Sequence, residues 1–286
     1  MNKPKVLMTG STGLLGSYFV DMYKQDFELY EVKKKANKIN DYEIEVDLAN
    51  AWNDKNFPED IDVLVLLAQE RNYKNFPVKS QDLYMINLHS TFKFLEYARL
   101  KGVKKIIYAS TGGIYEDQKN ALTENSPIKR SQDLSFYFAT KLASENMLYT
   151  YSNFFDITIM RPFFIYGKNQ NENSLFENLK YKIVNNQPII LNMNHGIKIN
   201  PIHASDAATC LRVLVESEGS SIINIAGKEI VTIKELSDRI GKHLKKNPVY
   251  ERSHEATNLV ADTTKIEKIL KNHNWMPLEA GIRECL

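Results

Sequence analysis

The feature that most constrains this chain is a glycine-rich turn near its N-terminus. An apolar run at residues 6–8 predicts a buried strand, and residues 14–23 predict a helix; between them stand Gly10, Gly13 and Gly16. Glycines let a bound group approach the backbone closely, and a helix N-terminus presents free N–H groups and positive potential. Strand, turn and helix in this order predict a site for the pyrophosphate of a dinucleotide. The alternative is a tight turn in some other α/β protein.

Apolar, strand-like runs alternate with helix-length amphipathic stretches as far as residue 165. Strands that are apolar throughout are typical of a parallel sheet covered by helices on both faces. The predicted fold is therefore α/β, a doubly wound Rossmann sheet. The predicted strands are residues 6–9, 29–33, 44–46, 63–67, 105–109, 157–160 and 222–225, and the predicted helices are residues 14–23, 81–100, 132–151, 174–185, 205–215 and 232–244.

The C-terminal part is less regular. It is predicted to pack as a smaller α/β lid over the carboxyl edge of the sheet, where such folds bind ligands. We expect a dinucleotide-binding domain at residues 1–165, to which residues 203–226 return. Residues 166–202 and 227–286 are then expected to form a smaller substrate-binding domain.

Composition argues against several classes of protein. A formal net charge of +2 over 286 residues gives no reason to expect a nucleic-acid partner. No apolar run reaches the roughly 18 residues that a membrane span needs. The first strand begins within a few residues of the start, which predicts no signal peptide. Cys210 and Cys285 make neither a metal spacing nor a disulfide framework, so no metal is expected and the expected compartment is cytoplasmic.

The end of the second predicted strand bears on which dinucleotide binds. An NAD site has an acidic residue about 20 positions after the glycines, for the ribose 2′-hydroxyl, whereas a basic residue suits the 2′-phosphate of NADP. This strand runs into Lys33 and Lys34 with no acid at its end, which favours NADP over NAD. The alternative is a solvated pair of lysines. Asp47, after the third strand, is either an acceptor for the adenine amino group or an ordinary loop residue.

A tyrosine and a lysine four residues apart carry the candidate chemistry. Tyr137 and Lys141 share one face of a predicted helix, and the fifth strand runs into Thr111 at the ligand-binding edge. A free phenol has a pKa of about 10, but neighbouring positive charge favours the phenolate and makes it a usable acid and base. We expect Tyr137 to exchange a proton, Lys141 to lower its pKa and hold ribose hydroxyls, and Thr111 to bind the substrate oxygen.

The same tyrosine–lysine spacing occurs elsewhere, so the spacing alone is not specific. The other matches lie along a strand, at a helix end and in the loop after the fifth strand. Only the match at residue 137 is mid-helix and follows a strand that ends in Ser and Thr. The three others are Tyr30 with Lys34, Tyr97 with Lys101, and Tyr115 with Lys119.

Short motifs spread over nearly the whole chain resemble those of a single family. They are GSTGLLG at 10–16, DL at 47–48, LAQ at 67–69, NLHST at 87–91, YASTGGIY at 108–115, RPFFIYG at 161–167, PIHASD at 201–206 and DTTK at 262–265, followed by Trp275. In the fourth motif Ser90 replaces the usual glycine. The family that they resemble is the extended short-chain dehydrogenase/reductases of the NAD(P)-dependent nucleotide-sugar epimerase/dehydratase type.

The resemblance, with the arguments above, implies a set of site residues and a nucleotide-sugar substrate. The implied cofactor-binding residues are Gly10, Thr12, Gly13, Leu14, Leu15, Gly16, Lys33, Lys34, Asp47, Leu48, Leu67, Ala68, Gln69, Asn87, Tyr137, Lys141, Pro162 and Ile165. The implied substrate-binding residues are Thr111, Gly112, Gly113, Phe164, Lys198 and Arg252. Family members usually pair through two long helices, which implies a homodimer through residues 81–100 and 132–151, with Leu142, Met147 and Leu148 available.

Departures from the family pattern narrow the implied reaction. Dehydratases follow the catalytic Thr with an Asp–Glu pair, where this chain has Gly112 and Gly113, and decarboxylating relatives need a nearby Glu. Relatives that epimerise beside the ketone carry a Cys at the position of Gly113 and a His near that of Asn169. The remaining set suffices to reduce a 4-keto sugar for cell-surface glycan synthesis, which we favour, or to run a 4-epimerase with tightly bound NAD. A non-catalytic NADP-binding regulatory protein is the alternative of another class, and the intact set argues against it.

Overall fold

The computed structural model describes residues 3–36, 41–192, 194–253 and 257–286. Most of the predicted strands recur within a residue or two of their expected ends. In chain order the strands are β1 (Lys5–Thr9), β2 (Glu28–Lys33), β3 (Glu43–Glu45), β4 (Val63–Leu66), β5 (Lys105–Ala109), β6 (Asp156–Pro162), β7 (Ile165–Tyr166), β8 (Pro188–Asn192), β9 (Lys198–Ile199), β10 (Ile202–His203), β11 (Ser221–Ile225), β12 (Val231–Thr232) and β13 (Val249–Ser253).

Four of the six predicted helices recur within a residue of their expected ends, and the first is matched to the residue. In chain order the helices are α1 (Leu14–Tyr23), α2 (Ser80–Leu83), α3 (Ser90–Lys101), α4 (Phe136–Thr150), α5 (Leu175–Val184), α6 (Ala204–Glu216), α7 (Ile233–Leu244), α8 (Thr264–Ile269) and α9 (Leu278–Glu284). A π-helical turn (Tyr84–His89) joins α2 to α3. Short 3₁₀ turns lie at Gly112–Ile114 and Ser131–Asp133.

Seven parallel strands form the central sheet in the order β11-β6-β5-β4-β1-β2-β3. The chain moves outward from β1 through β2 to β3, then crosses back to β4 on the other side of β1. This reversal opens a crevice at the carboxyl ends of β1 and β4, where ligands bind in such sheets. The predicted doubly wound Rossmann fold is confirmed.

Each face of the sheet has its own apolar core. Val6, Leu7 and Met8 of β1 are all fully buried. Since successive side chains of a strand point to opposite faces, both faces of β1 must be covered. Val6 and Met8 join the cluster that includes residues of α1 and α6, and Leu7 joins the cluster that includes residues of α3 and α4. Burial on both faces is why this strand is apolar at every one of these positions.

A third apolar cluster lies outside the seven-stranded sheet. It joins residues of α5, α7 and α9 to the short strand pairs β8–β13 and β9–β12. A capping box starts α7: Thr232 Oγ1 accepts from Glu235 N at 3.1 Å, and the Glu235 carboxylate accepts from Thr232 N at 2.7 Å. Strand β11, in contrast, follows α6 and pairs with β6 at the edge of the central sheet.

The two long helices begin differently from the prediction. The segment predicted at 81–100 is helical, but a π turn at Tyr84–His89 interrupts the α geometry. The segment predicted at 132–151 opens with a 3₁₀ turn, and α4 starts only at Phe136. Ser135 sets this start as N-cap, since its side chain accepts a hydrogen bond from Phe138 N at 3.4 Å.

Within the described ranges, no helix has both the length and the apolarity to cross a bilayer. The same part of the chain holds no group of three or more His, Cys, Asp or Glu side chains that could bind a metal ion. Cys210 and Cys285 are both buried and unpaired. Burial raises the pKa of the Cys285 thiol to about 11, so this thiol stays protonated at neutral pH.

Candidate active site

The glycine turn forms a cradle that side chains would fill. Gly10 has a φ of +75°, and a Cβ added there would lie 2.7 Å from the backbone N of Ala68. A Cβ on Gly16 would lie 2.2 Å from the Gly10 carbonyl oxygen. Gly13 is the N-cap of α1 and offers no side-chain cap, so the first N–H groups of the helix, those of Leu14 and Leu15 included, remain available to an anion. The residues present therefore fit a dinucleotide pyrophosphate.

The chain after β4 crosses directly over this cradle. Ala68 N donates to Thr9 Oγ1 at 3.2 Å, and Leu67 N donates to the Thr9 carbonyl oxygen at 3.3 Å. These bonds extend the β1–β4 pairing past the strand end and bring residues 67–69 beside Gly10. From the same loop, the guanidinium of Arg71 donates to the Thr12 carbonyl oxygen at 3.1 Å.

The two lysines at the end of β2 are paired with carboxylates. Lys33 Nζ lies 3.1 Å from Glu31 and 2.8 Å from Glu43, and its side chain is only 17% exposed. Lys34 is 72% exposed and lies 2.9 Å from Asp47, and this contact lowers the pKa of the Asp47 carboxyl. Glu31 and Glu43 entered none of the sequence arguments, although Glu31 stands only two residues before Lys33. The next residue after Asp47, Leu48, is buried.

Tyr137 lies in the first turn of α4, and not mid-helix as predicted, because the N-cap Ser135 starts the helix only at Phe136. The O–H donates to Gln69 Oε1 at 2.8 Å, and the ring stacks on Tyr73 with centroids 4.4 Å apart. The side chain is 8% exposed. Burial raises the pKa of Tyr137 above its ordinary value, with smaller contributions from Tyr73 and Tyr108.

Lys141 follows one turn later and is almost fully buried. Its Nζ donates to the Ala109 carbonyl oxygen at 2.7 Å and lies 5.0 Å from the centre of the Tyr108 ring. The distance from Nζ to the centre of the Tyr137 ring is 6.0 Å. Burial lowers the pKa of Lys141 to about 7, opposed by the nearby Glu145 carboxylate.

The two glycines after Thr111 pack against aromatic rings. Thr111 Oγ1 accepts a hydrogen bond from Gly113 N at 3.1 Å. A Cβ on Gly112 would lie 2.5 Å from the ring of Phe163, and one on Gly113 would lie 2.4 Å from the ring of Phe138. Because Phe138 adjoins Tyr137, the missing side chains let the end of β5 approach the first turn of α4.

A buried ion pair joins α4 to the strand behind it. The Arg161 guanidinium in β6 binds both carboxylate oxygens of Glu145, at 3.0 and 2.6 Å, and donates to the Tyr115 hydroxyl at 2.8 Å. Tyr115 in turn donates to Asn224 Oδ1 at 2.9 Å. Sequence reasoning passed over Glu145, although it stands one helical turn after Lys141.

Asn87 holds the neighbouring helix against α4. Its Nδ2 donates to Thr140 Oγ1 at 3.0 Å, and its main-chain carbonyl oxygen accepts from the hydroxyls of Thr91 and Ser144. Asn87 Oδ1 and Ser11 Oγ are buried with no hydrogen-bond partner among the described residues. Ser11 stands within the glycine turn, so its orphaned hydroxyl is consistent with a polar ligand at the cradle.

A model of the NAD dependent epimerase/dehydratase family matches residues 6–226, from β1 to just past the end of β11. The chain belongs to this family. It is therefore an enzyme of the NAD(P)-dependent short-chain dehydrogenase/reductase type, as the motifs implied.

Relatives at several distances agree with this assignment. The UDP-glucuronate 4-epimerase of Thermodesulfobacterium geofontis is 33% identical over 211 residues, which are 70% of this chain but less than two thirds (62%) of that protein. The GDP-6-deoxy-D-talose 4-dehydrogenase of Aggregatibacter actinomycetemcomitans is 25% identical over 94% of this chain and 92% of its own length. The structure of the Bacillus cereus UDP-glucuronic acid 4-epimerase in complex with NAD has a TM-score of 0.83 at 22% identity, over 98% of this chain and 94% of that one.

In this chain the expected substrate-binding residues lie on separate elements of the fold. Phe164 lies between β6 and β7, and its carbonyl oxygen accepts from Ile202 N at 2.9 Å; Pro162 and Ile165 flank it. Lys198 on β9 and Arg252 on β13 are both exposed. They belong to two different strand pairs, β9–β12 and β8–β13.

Proposed function

We propose that this family member exchanges a hydride and a proton at carbon 4 of a nucleoside diphosphate hexose, with 4-epimerisation as the net reaction. The observation that carries this is the packing of the Thr111 strand end against the helix of Tyr137 and Lys141. Gly112 and Gly113 stand where the family's dehydratases have an acid pair. The names of the two curated relatives support carbon 4 as the reacting carbon.

The dinucleotide would be held by the cradle at the start of α1 and by the strand ends around it. When bound, it supplies the acceptor and the donor of the hydride. We propose NAD rather than the NADP that the lysines alone favoured. A 2′-phosphate would add negative charge near Glu31 and Glu43, and Lys33 already forms ion pairs with both of these carboxylates. Lys34 stays the candidate contact if NADP is used.

Tyr137 would act as the acid and base. In the oxidising direction its phenolate takes the proton of the sugar 4-hydroxyl, and in the reducing direction its phenol returns a proton to the carbon-4 oxygen. A protonated Lys141 favours the phenolate, and with a pKa of about 7 it carries charge in part of the molecules at neutral pH. The Thr111 oxygen accepts from Gly113 N, so its O–H is free to donate to the sugar oxygen.

The substrate contacts and the domain division are part of the same proposal. We assign the nucleotide sugar to the crevice between the sheet edge and the third apolar cluster, at residues 166–202 and 227–286. Phe164, Lys198 and Arg252 would line it, the two cations facing the diphosphate. Both side chains are exposed, so each could form a charge-assisted hydrogen bond with a phosphate oxygen.

We also propose a cytoplasmic homodimer that pairs through α3 and α4. Tyr84, Phe92 and Tyr149 are large apolar side chains left between 44 and 47% exposed on these helices and the π turn before α3. Of the residues named from sequence, Leu148 is unavailable because it is fully buried against the sheet. Light scattering at micromolar concentration tests this, and a mass of about 33 kDa would contradict it.

The test of the proposed function is product analysis. Purified protein is incubated with UDP-glucuronate or UDP-glucose, and the sugar is resolved from its carbon-4 epimer by chromatography. The expected result is epimer formation with no net change in absorbance of the reduced nicotinamide. Failure of the Tyr137→Phe variant to lower turnover would overturn the assignment.

The second candidate is a 4-ketoreductase, supported by the 4-dehydrogenase relative that spans nearly the whole chain. Here a GDP-6-deoxy sugar with a 4-hydroxyl and added oxidised dinucleotide should give a net rise in nicotinamide absorbance. Retention of tightly bound NAD through purification favours the epimerase. Cofactor-free protein that binds added NADPH favours the reductase.

A further inference from the structure

The Tyr137 hydroxyl touches a residue outside the expected acid–base set. Its O–H donates to Gln69 Oε1 at 2.8 Å. Lys141 Nζ donates instead to the Ala109 carbonyl oxygen, and Thr111 Oγ1 accepts from Gly113 N. Within the described ranges, the side-chain amide of Gln69 is therefore the group that hydrogen-bonds the Tyr137 hydroxyl oxygen.

The loop that carries Gln69 is tied to three parts of the site. Tyr73 stacks on the Tyr137 ring at 4.4 Å. Arg71 donates to the Thr12 carbonyl oxygen, and Lys74 Nζ donates to that of Asn173, each at 3.1 Å. The glycine turn, α4 and the loop before α5 thus hold the amide at the phenol, although the Gln69 side chain itself is exposed to solvent.

We propose that Gln69 is a further catalytic residue, a reversible hydrogen-bond partner of the Tyr137 hydroxyl. This rests on the proposed function, since it takes Tyr137 as the acid and base. A primary amide carries an acceptor oxygen and a donor nitrogen, which a half-turn of its terminal bond exchanges. The oxygen accepts from the phenol, and the nitrogen donates to the phenolate. The proton passes only between Tyr137 Oη and the carbon-4 oxygen, so no covalent bond to Gln69 forms or breaks.

The surroundings of the phenol make such a donor useful. Burial disfavours the phenolate, and a hydrogen bond to a charged group is stronger than one to a neutral group. The titratable groups that face the ring are Tyr73 from the loop, Tyr108 from β5 and, on its own helix, Lys141 with Glu145 beyond it. Lys141 contributes charge without a hydrogen bond to the phenol. Gln69 supplies the hydrogen bond.

Two variants at this position separate the amide's roles. Gln69→Met keeps the length and removes both hydrogen-bonding atoms, whereas Gln69→Glu keeps an acceptor and replaces the donor by negative charge. In the oxidising half-reaction, followed by nicotinamide absorbance in a single turnover, the Met variant should move the pH midpoint up by about one unit, a tenfold change in the acid constant. The Glu variant should move it further. Gln25→Met, just past the end of α1, is the matched control and should keep the wild-type profile.

A second readout needs no substrate. In free protein labelled with 3-fluorotyrosine, the ¹⁹F resonance of Tyr137 is identified by its loss in Tyr137→Phe. Gln69→Met should move that resonance, because the hydroxyl loses its partner, and Gln25→Met should leave it in place. A resonance that does not move in Gln69→Met contradicts the hydrogen bond.

The outcomes separate this proposal from the proposed function. If Tyr137→Phe retains turnover, the acid–base assignment itself is wrong. If Tyr137→Phe is inactive while both Gln69 variants keep the wild-type pH midpoint, only the role of Gln69 is overturned. A changed affinity for NAD with an unmoved midpoint would make Gln69 a cofactor contact alone, and would equally overturn it.

Discussion

The two sides of the proposed site are built on different physical principles. On the sheet side, the cradle at Gly10 and Gly16 and the packing at Gly112 and Gly113 leave no room for a Cβ. On the lid side, Lys198 and Arg252 stand exposed on short strand pairs. The chemistry common to the family thus depends on buried, sterically determined groups, whereas the proposed substrate contacts depend on surface charge. Substitutions on the sheet side should therefore lower the free energy of unfolding far more than substitutions on the lid side.

The largest expected effect on stability is at the ion pair behind α4. Arg161→Met leaves the buried Glu145 carboxylate without its hydrogen-bonded cationic partner, and breaking a buried pair in this way costs about 3–5 kcal/mol. The free energy of unfolding, measured in urea, should fall by that amount. A loss below about 1 kcal/mol would mean that the pair is not buried as described.

A pH dependence of stability should arise from Lys141. Its pKa of about 7 in the folded protein lies below the ordinary value, so the unfolded chain binds this proton more tightly. The free energy of unfolding should therefore rise as the pH is raised above 7, by up to about 1.4 kcal/mol per unit from this group. Lys141→Met should remove that part of the slope. Identical slopes in both proteins would contradict a buried, titrating lysine.

A smaller loss is expected at the glycine that touches Phe138. Gly113→Ala places a methyl group 2.4 Å from that ring, so Phe138 and the start of α4 must shift. Overpacking of this kind costs about 1–3 kcal/mol. Gly102→Ala adds a methyl where nothing lies within 4 Å, but at a φ of +68°, so it loses stability through backbone strain alone and shows whether a loss of stability by itself lowers turnover. We expect only the Gly113 variant to lose turnover, measured at saturating cofactor.

The smallest effect on stability should be on the lid side. Arg252→Ala removes an exposed side chain, and surface substitutions usually change stability by less than about 0.5 kcal/mol. If Arg252 binds the diphosphate, the KM for the nucleotide sugar should rise while the melting temperature stays constant. An unchanged KM would remove Arg252 from the substrate site.

Most of the sheet side could be predicted from the sequence because it depends on local patterns. The glycine spacing and the limits of α1 follow from turn chemistry and helix periodicity, and the tyrosine–lysine spacing follows from one helical turn. Long-range pairings could not be predicted. Nothing local indicates that Lys33 would meet Glu43 from the neighbouring strand, or that Gln69 would reach Tyr137 across 68 positions. Both contacts depend on strand order, which the periodicity of a single strand does not contain.

The central claim is that Tyr137 exchanges the proton at the carbon-4 oxygen. Its most direct test is the turnover of Tyr137→Phe, with Tyr97→Phe as the control, because the Tyr97 hydroxyl binds the Pro58 carbonyl oxygen away from the cradle. General acid–base catalysis is worth about 10²–10⁴-fold, so Tyr137→Phe should lose that factor in turnover while its affinity for NAD hardly changes and Tyr97→Phe stays near the wild-type rate. A Tyr137→Phe protein that turns over at the wild-type rate would contradict the account.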